Sequence, residues 1–148
     1  MFNMEEFTED SLTVIGEALN MAKEFNSADV NEYHFVSKLW IKLEYPIRNM
    51  DCMTNAEFDA LSNYWFDHLK VNAVDIKKSS LTSATRNILG ESKRICRMLE
   101  MTKVNPLHLL FAILTVDSKV SIMLKQYGMK PLDVLKMDYT DIDIDEMD

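Results

Sequence analysis

FTEDSLTVIGEALNMAKEFNSADVNEYHFVSKLW, residues 7–40, aligns without a gap with LTSATRNILGESKRICRMLEMTKVNPLHLLFAIL, residues 81–114, at a constant offset of 74 positions. The identical pairs are Thr8 and Thr82, Gly16 and Gly90, Glu17 and Glu91, Val30 and Val104, Asn31 and Asn105, and His34 and His108. Six further pairs are apolar in both copies: Val14 and Ile88, Ile15 and Leu89, Met21 and Ile95, Phe25 and Leu99, Phe35 and Leu109, and Leu39 and Ile113. A repeat of this kind marks a supersecondary unit that buries its apolar face against another copy. Two copies are too few for a solenoid, so the repeat predicts one pseudo-twofold domain.

The start of each copy predicts two capped helices. Thr8 and Thr82 stand where a helix N-cap is expected, and apolar residues then recur at steps of three and four. Leu99, near the end of the first helix of the second copy, falls on this apolar face. Asn31 and Asn105 cap a second helix in each copy. We expect no strand within either copy.

The remainder of each copy predicts a third helix and a short fourth helix, which makes an all-α domain of eight helices in two four-helix units. Thr54 and Glu57 have the spacing of a capping box, and Gly128 has the place of a helix terminator. The first copy carries 16 additional residues within Ile41–Tyr64. The predicted ranges are Asn55–Leu69 and Ala73–Lys78 in the first copy and Lys119–Tyr127 and Pro131–Met137 in the second.

Gly16 and Gly90 fall in the middle of the first helix of each copy. Glycine in a helix interior costs about 1 kcal/mol relative to alanine. Because both copies accept that cost at the same place, we expect a close helix–helix approach there.

Charge and length set the domain boundaries. The 148 residues carry a formal net charge of −8, of which residues 138–148 supply −6 without any basic residue. We therefore predict one domain over residues 1–137, with repeat 1 at about 7–78 and repeat 2 at about 81–137, followed by an acidic tail or linker at 138–148. The nearly neutral body argues against a nucleic-acid partner. Arg86, Arg94 and Arg97 are the only candidates for a basic recognition helix, and Glu91 and Glu100 are interleaved with them.

The cysteines, the N-terminus and the lengths of the apolar runs predict the cellular location. Cys52 and Cys96 are unclustered and are interpreted as reduced, packed thiols. The acidic N-terminus lacks the pattern of a targeting segment, and no apolar run has the length of a membrane span. The sequence predicts a cytoplasmic protein with no membrane partner.

Side chains with catalytic or ligand chemistry do not cluster in the sequence. His34 and His108 follow capping asparagines and repeat with the fold, so we interpret them as structural residues that bond to the backbone rather than as ligands. His68 has no partner at metal spacing, and the cysteines form no Cys-x-x-Cys motif, so no metal site is expected. Gly90-Glu91-Ser92-Lys93 lacks the remaining residues of a phosphate loop. The sequence predicts a non-enzyme without a cofactor or nucleotide site.

The duplicated motifs resemble the N-terminal domain of the Clp family of AAA+ unfoldases. The resemblance covers about Phe7–Met137 and is strongest in the ClpB-like stretch VNPLHLLFAIL, residues 104–114, and in LKQYGMKPLDVL, residues 124–135. It implies an eight-helix domain that is tethered above an ATPase ring. In the family this domain captures unfolded or tagged substrates or adaptor proteins, hands them to the ring pore, and does no chemistry.

The resemblance also implies the candidate binding residues Thr8, Thr82, Tyr33, Leu107 and Glu32. Many family members have a glutamate directly before the motif histidine, where this chain has Tyr33 and Leu107. Glu32 lies one position away, which rotates it by about 100° on a helix. Because Tyr33 and Leu107 cannot pair with a guanidinium, we expect apolar client segments rather than phosphorylated arginine to be recognised.

Three further points stay open at this stage. The chain could be the recruiting domain of a Clp-type unfoldase, acting with an AAA+ ring in cis or in trans. It could instead be a free-standing adaptor or a small helical regulator. The pairs Met50/Met53 and Met98/Met101 could belong to the core or to an adaptable binding surface. The insert with Tyr45-Pro46 is the place where partner-specific contacts are expected.

Overall fold

The computed structural model describes residues 4–24, 29–71 and 80–137. In these ranges the chain forms eight α-helices, with a single 3-10 turn at Met4–Glu6 before them and two strands of two residues each. The predicted all-α fold class is confirmed. The elements are α1 Glu9–Glu24, β1 Asp29–Val30, α2 Glu32–Lys42, α3 Glu44–Arg48, α4 Asn55–Val71, β2 Ser80–Leu81, α5 Ser83–Met98, α6 Pro106–Thr115, α7 Lys119–Gln126 and α8 Pro131–Val134.

The repeated helices begin where the sequence predicts. Helix α1 follows directly on Thr8, and the N-caps of α2, α5 and α6 are Asn31, Thr82 and Asn105. Each of these three caps has extended backbone and accepts a hydrogen bond from a backbone N–H of the first turn, which satisfies a donor that the helix itself cannot pair.

The two copies are joined by short parallel backbone pairings. In the pairing of β1 with β2, Val30 lies opposite Leu81, and an isolated bridge pairs Phe7 with Val104. The offset of 74 converts one pairing into the other, so the entrance of α1 is bonded to that of α6, and the entrance of α5 to that of α2. The expectation of no strand is therefore wrong at these entrances, because the residue before each cap satisfies its backbone groups across the repeat.

The inserted segment contains an element that the sequence did not predict. Helix α3 lies between α2 and α4, and α4 is 17 residues long where its counterpart α7 has eight. The predicted fourth helix of the first copy, Ala73–Lys78, lies outside the described residues. Helix α8 is shorter than predicted and ends at Val134 rather than Met137. Gly128 terminates α7 with a φ of 86°, as expected.

The expectation of a close helix approach at Gly16 and Gly90 is wrong. A Cβ built on either glycine would meet no atom within 4 Å, and Gly90 is exposed. No described helix therefore packs closely against α1 at Gly16 or against α5 at Gly90.

The core lies around α2 and α6, which are equivalent in the repeat and contact each other. Helix α2 also packs against α1 and α4, and α6 packs against α5, α7 and α8. Every residue from Pro106 to Leu114 is buried. No single described helix is long and apolar enough to cross a membrane; α6 and α7 would meet the length and composition only as a pair, and they are bent by 96°.

Candidate functional site

The hydroxyl groups at the two helix entrances bond within the fold. Thr8 Oγ1 accepts from the Ser11 N–H and donates to Ser11 Oγ, both at 3.2 Å. Ser11 Oγ then donates to the Val104 carbonyl at 2.7 Å, which carries the contact into the other copy. Thr8 is 8% exposed. Its hydroxyl thus caps α1 and helps to attach α1 to the start of α6.

The second entrance repeats this arrangement. Thr82 Oγ1 accepts from the Thr85 N–H at 3.1 Å, and the Thr85 hydroxyl donates to the Val30 carbonyl at 2.9 Å. Because that donation uses the only hydroxyl proton of Thr85, Thr82 is the donor in the 2.8 Å contact between the two hydroxyls. Thr82 is half-buried, so the threonine of this entrance is more accessible than Thr8.

Tyr33, Leu107 and Glu32 lie in the first turns of α2 and α6. Tyr33 is 4% exposed and stacks on His68 of α4, with 3.8 Å between ring centroids. Burial, with Tyr64 and Glu32 nearby, raises the pKa of Tyr33 to about 12, so the phenol is neutral. Leu107 is 6% exposed, whereas Glu32 is half-buried.

The predicted binding residues therefore divide between the two entrances. Thr82 lies at the entrance shared with Glu32 and Tyr33, and Thr8 lies at the entrance shared with Leu107. Glu32 and Thr82 provide the more accessible surface of the five. Whether any of them contacts a client stays a prediction.

The two motif histidines are structural, as predicted. His34 Nδ1 accepts from the Asn31 N–H and His108 Nδ1 from the Asn105 N–H, both at 3.0 Å. Each imidazole takes the place of the glutamate or glutamine of an ordinary capping box. Burial lowers the pKa of His108 to about 4, which keeps the accepting nitrogen unprotonated at neutral pH.

The described ranges were compared with the arrangements that metal ions and reactive thiols require. No group of three His, Cys, Asp or Glu side chains there could hold a metal ion. Cys52 and Cys96 are free thiols, and burial raises the pKa of each. A raised pKa leaves less of the reactive thiolate at neutral pH.

The inserted segment forms one wall of a groove of about 830 Å³. Tyr45 and Met50 of the insert face Tyr127, Lys130 and Asp133 at the ends of α7 and α8 across this groove. Tyr45 is 74% exposed. The place at which the sequence predicts partner-specific contacts is thus a concave surface between the two copies.

Arg48 holds the insert on α4. Its guanidinium donates to Asp59 at 2.7 Å and to Glu44 at 2.9 Å, and it lies 4.2 Å from the ring centroid of Phe58. A planar guanidinium can bond in its plane and stack on a ring at the same time. Arg48 therefore fixes the position of α3 beside the groove.

The methionine pairs divide between core and surface. Met53 is buried and Met50 is packed partly against the core, whereas Met98 and Met101 are 64% and 45% exposed. Leu99 is predicted on the apolar face of its helix, but it is 44% exposed because it is the C-cap, beyond the last turn of α5 that packs on the core.

The sequence matches no protein-family model and no curated protein. Its structure is similar to the Hsp104 N-terminal domain from Candida albicans, with a TM-score of 0.74, 16% identity, and coverage of 89% of this chain and 88% of that chain. A structure from investigations of a malarial protein secretion system has a TM-score of 0.71 and 14% identity and covers 88% and 90%. The N-terminal domain of the caseinolytic protease associated chaperone ClpD from Arabidopsis thaliana has a TM-score of 0.62 and 16% identity and covers 91% and 93%. The chain has the fold of a Clp N-terminal domain.

Proposed function

We propose that this chain recruits unfolded or tagged proteins, or adaptor proteins, for a Clp-type ATP-dependent unfoldase and is itself non-catalytic. The observation that carries the proposal is the similarity to N-terminal domains of Hsp104 and ClpD over about nine-tenths of both chains. The AAA+ ring acts in cis or in trans, and the proposed location is the cytoplasm.

Client contact is proposed at the two helix entrances. Glu32 and Thr82 supply accessible polar groups there, and Tyr33 and Leu107 supply apolar surface where a client segment displaces the neighbouring side chains. With Tyr33 and Leu107 at the two positions before the motif histidines, apolar segments are favoured over phosphorylated arginine. Binding by the single domain is expected to be weak, about 10–100 μM, because ordering a disordered segment offsets much of the contact energy.

Adaptor proteins are proposed to use the groove beside the insert. This groove combines exposed Tyr45 with Lys130 and Asp133. An amphipathic aromatic side chain beside charges of both signs is typical of a polar, reversible protein–protein contact.

The test is a titration of a permanently unfolded model protein, followed by fluorescence anisotropy. The variants are Tyr33→Ala, Leu107→Ala and Thr8→Ala, with Thr8→Ser as the matched control that keeps the capping hydroxyl. Thermal unfolding of each variant identifies any loss of binding that follows from loss of folding. A phospho-arginine peptide is titrated in parallel.

We expect client affinity to fall at least threefold in one of the alanine variants that retains its fold, with no response to the phospho-peptide. Client binding that none of the changes affects, or tight binding of phospho-arginine, would contradict the proposed site. Failure of every unfolded client and adaptor to bind the parent chain would contradict the proposed function itself.

A further inference from the structure

The C-terminal half of α4 lies over Tyr33, one of the proposed client contacts. His68 stacks on the Tyr33 ring with 3.8 Å between centroids and 22° between planes, and the Trp65 ring centroid lies 6.1 Å away. Tyr64 lies near Tyr33 as well. Tyr33 is consequently only 4% exposed. Residues 64–69, which we call the α4 cover, therefore keep a client from reaching Tyr33 in this closed conformation.

The N-terminal half of α4 is attached to its neighbours by hydrogen bonds. The Trp40 indole N–H donates to the Phe58 carbonyl at 3.1 Å. The Arg48 guanidinium donates to the side chain of Asn55 at 3.0 Å and to that of Asp59 at 2.7 Å. These attachments precede the α4 cover by more than one helical turn. The cover can therefore separate from α2 while the first part of α4 stays in place.

Beneath the α4 cover, two buried polar atoms have no hydrogen-bond partner among the described residues, Ser37 Oγ and Trp65 Nε1. On α2, Ser37 lies four residues after Tyr33 and three before Trp40, so the three share one helix face. Both aromatic rings of this face contact Trp65, at 6.1 and 5.9 Å between centroids. A buried polar group without a partner favours any state in which water reaches it. Separation of the cover from α2 hydrates both atoms.

Apolar burial opposes this separation. Trp65 is completely buried and Leu69 is 1% exposed in the closed conformation. The unpaired atoms and the buried side chains thus act in opposite directions, and the open conformation is the minor one. A ligand shifts such an equilibrium when it binds the minor conformation preferentially.

We propose that the α4 cover opens, and that the open conformation, in which Tyr33 and Trp65 face solvent, is the one that binds apolar client segments. The opening itself does not depend on the proposed function, whereas its use in client binding rests on it. Because only the open fraction binds, the apparent Kd equals the intrinsic Kd divided by that fraction. A change that favours the closed conformation therefore weakens client binding even when Tyr33 is left unchanged.

The first arm of the test measures amide hydrogen exchange across the α4 cover in the full chain. Ser37→Ala removes a hydroxyl that lacks a partner only while the cover is closed. We expect exchange to become about tenfold slower, which corresponds to about 1.4 kcal/mol and lies within the range for an unpaired buried group. Ser92→Ala is the matched control, because it removes a buried serine hydroxyl that is paired with the Leu89 carbonyl at 2.7 Å. It should leave exchange in α4 unchanged.

His68→Ala tests the ring that covers Tyr33. Loss of the stacked pair should make exchange in the α4 cover about three to ten times faster. Asp67→Ala changes an exposed neighbour on the same helix and should leave exchange unchanged. Unchanged or faster exchange in Ser37→Ala would overturn the proposal, because the serine hydroxyl would then have a partner in the closed conformation.

The second arm titrates the unfolded model protein against the same variants. Ser37→Ala should raise the Kd about tenfold, and His68→Ala should lower it in proportion to its faster exchange. Client affinity that does not follow the exchange rates would overturn the role of the cover in binding. Exchange that changes as expected, while no variant binds any client, would support the opening and contradict the proposed function instead.

Discussion

Protonation of His108 should destabilise the fold in mildly acidic solution. Its Nδ1 accepts the Asn105 N–H at 3.0 Å, and the side chain is 2% exposed. Burial lowers its pKa from 6.5 to about 4 in the folded protein. Between these two pH values the unfolded chain binds the extra proton, so the free energy of unfolding falls as the pH falls. The stability contributed by neutral His108 is complete above about pH 6.5 and is lost by about pH 4.

The magnitude follows from the difference between the two pKa values. Each pH unit of difference corresponds to about 1.4 kcal/mol, so the loss between pH 7 and pH 4 is about 3 kcal/mol. This is a large part of the 5–15 kcal/mol or so by which folded domains are stable. The lowered pKa of Glu91, which results chiefly from its hydrogen bond from Arg94, adds a loss of stability only at the acid end of this range.

A matched variant separates His108 from the other groups. His108→Gln keeps an acceptor at the third helical position, which is an ordinary capping-box residue, and it removes the titration. Urea unfolding at pH steps from 7.5 to 4 gives the free energy of unfolding of both proteins. The free energy of unfolding of the parent, relative to that of the variant, should fall by about 3 kcal/mol between pH 7 and pH 4. A difference that is constant over this range would refute the assignment of the cap to a buried neutral imidazole.

Two further predictions concern the helices and the insert. Gly16→Ala and Gly90→Ala should each stabilise the protein by about 0.5–1 kcal/mol, because a Cβ meets open space at both positions. Thermal unfolding measures the change in stability, and a lower melting temperature in either variant would show that its helix needs the glycine. Arg48→Met should raise amide hydrogen exchange in α3 while the melting temperature changes little, since Arg48 bonds α3 to Asn55 and Asp59 of α4. Asp59→Asn, which weakens one of those bonds, is the milder control, and exchange in α3 that is unchanged in Arg48→Met would contradict the role assigned to Arg48.

The sequence predicts the repeated helix starts because their determinants are local. A threonine or asparagine cap needs only the residues of its own first turn, as Thr82 and Asn105 illustrate. The capping box at Thr54 and Glu57 also forms as predicted, with bonds of 2.8 and 3.1 Å. Helix α3 was missed because five residues, with Pro46 among them, are too few to show a helical period.

The errors concern contacts between distant parts of the chain. Val30 and Val104 are identical in the two copies, but their bonds to the opposite copy depend on how the copies pack. The glycines were misjudged for the same reason, since a glycine at a helix contact and a glycine facing open space look alike in a sequence. The burial of Tyr33 results from stacking on His68, 35 positions away in the chain, and no local pattern predicts that contact.

The distribution of differences between the copies indicates where partners bind. Several identical pairs make equivalent bonds in both copies. His34 and His108 close capping boxes within their own copies, whereas Val30 and Val104 accept the backbone bonds that join the two units. A residue that is already needed for the fold has less freedom to adapt to a partner. The copies differ most at the insert beside the groove, which has no counterpart in the second copy. We therefore expect partner specificity to depend on this groove, and the Thr8→Ala and Thr8→Ser pair to reveal chiefly a capping role at the entrance of α1.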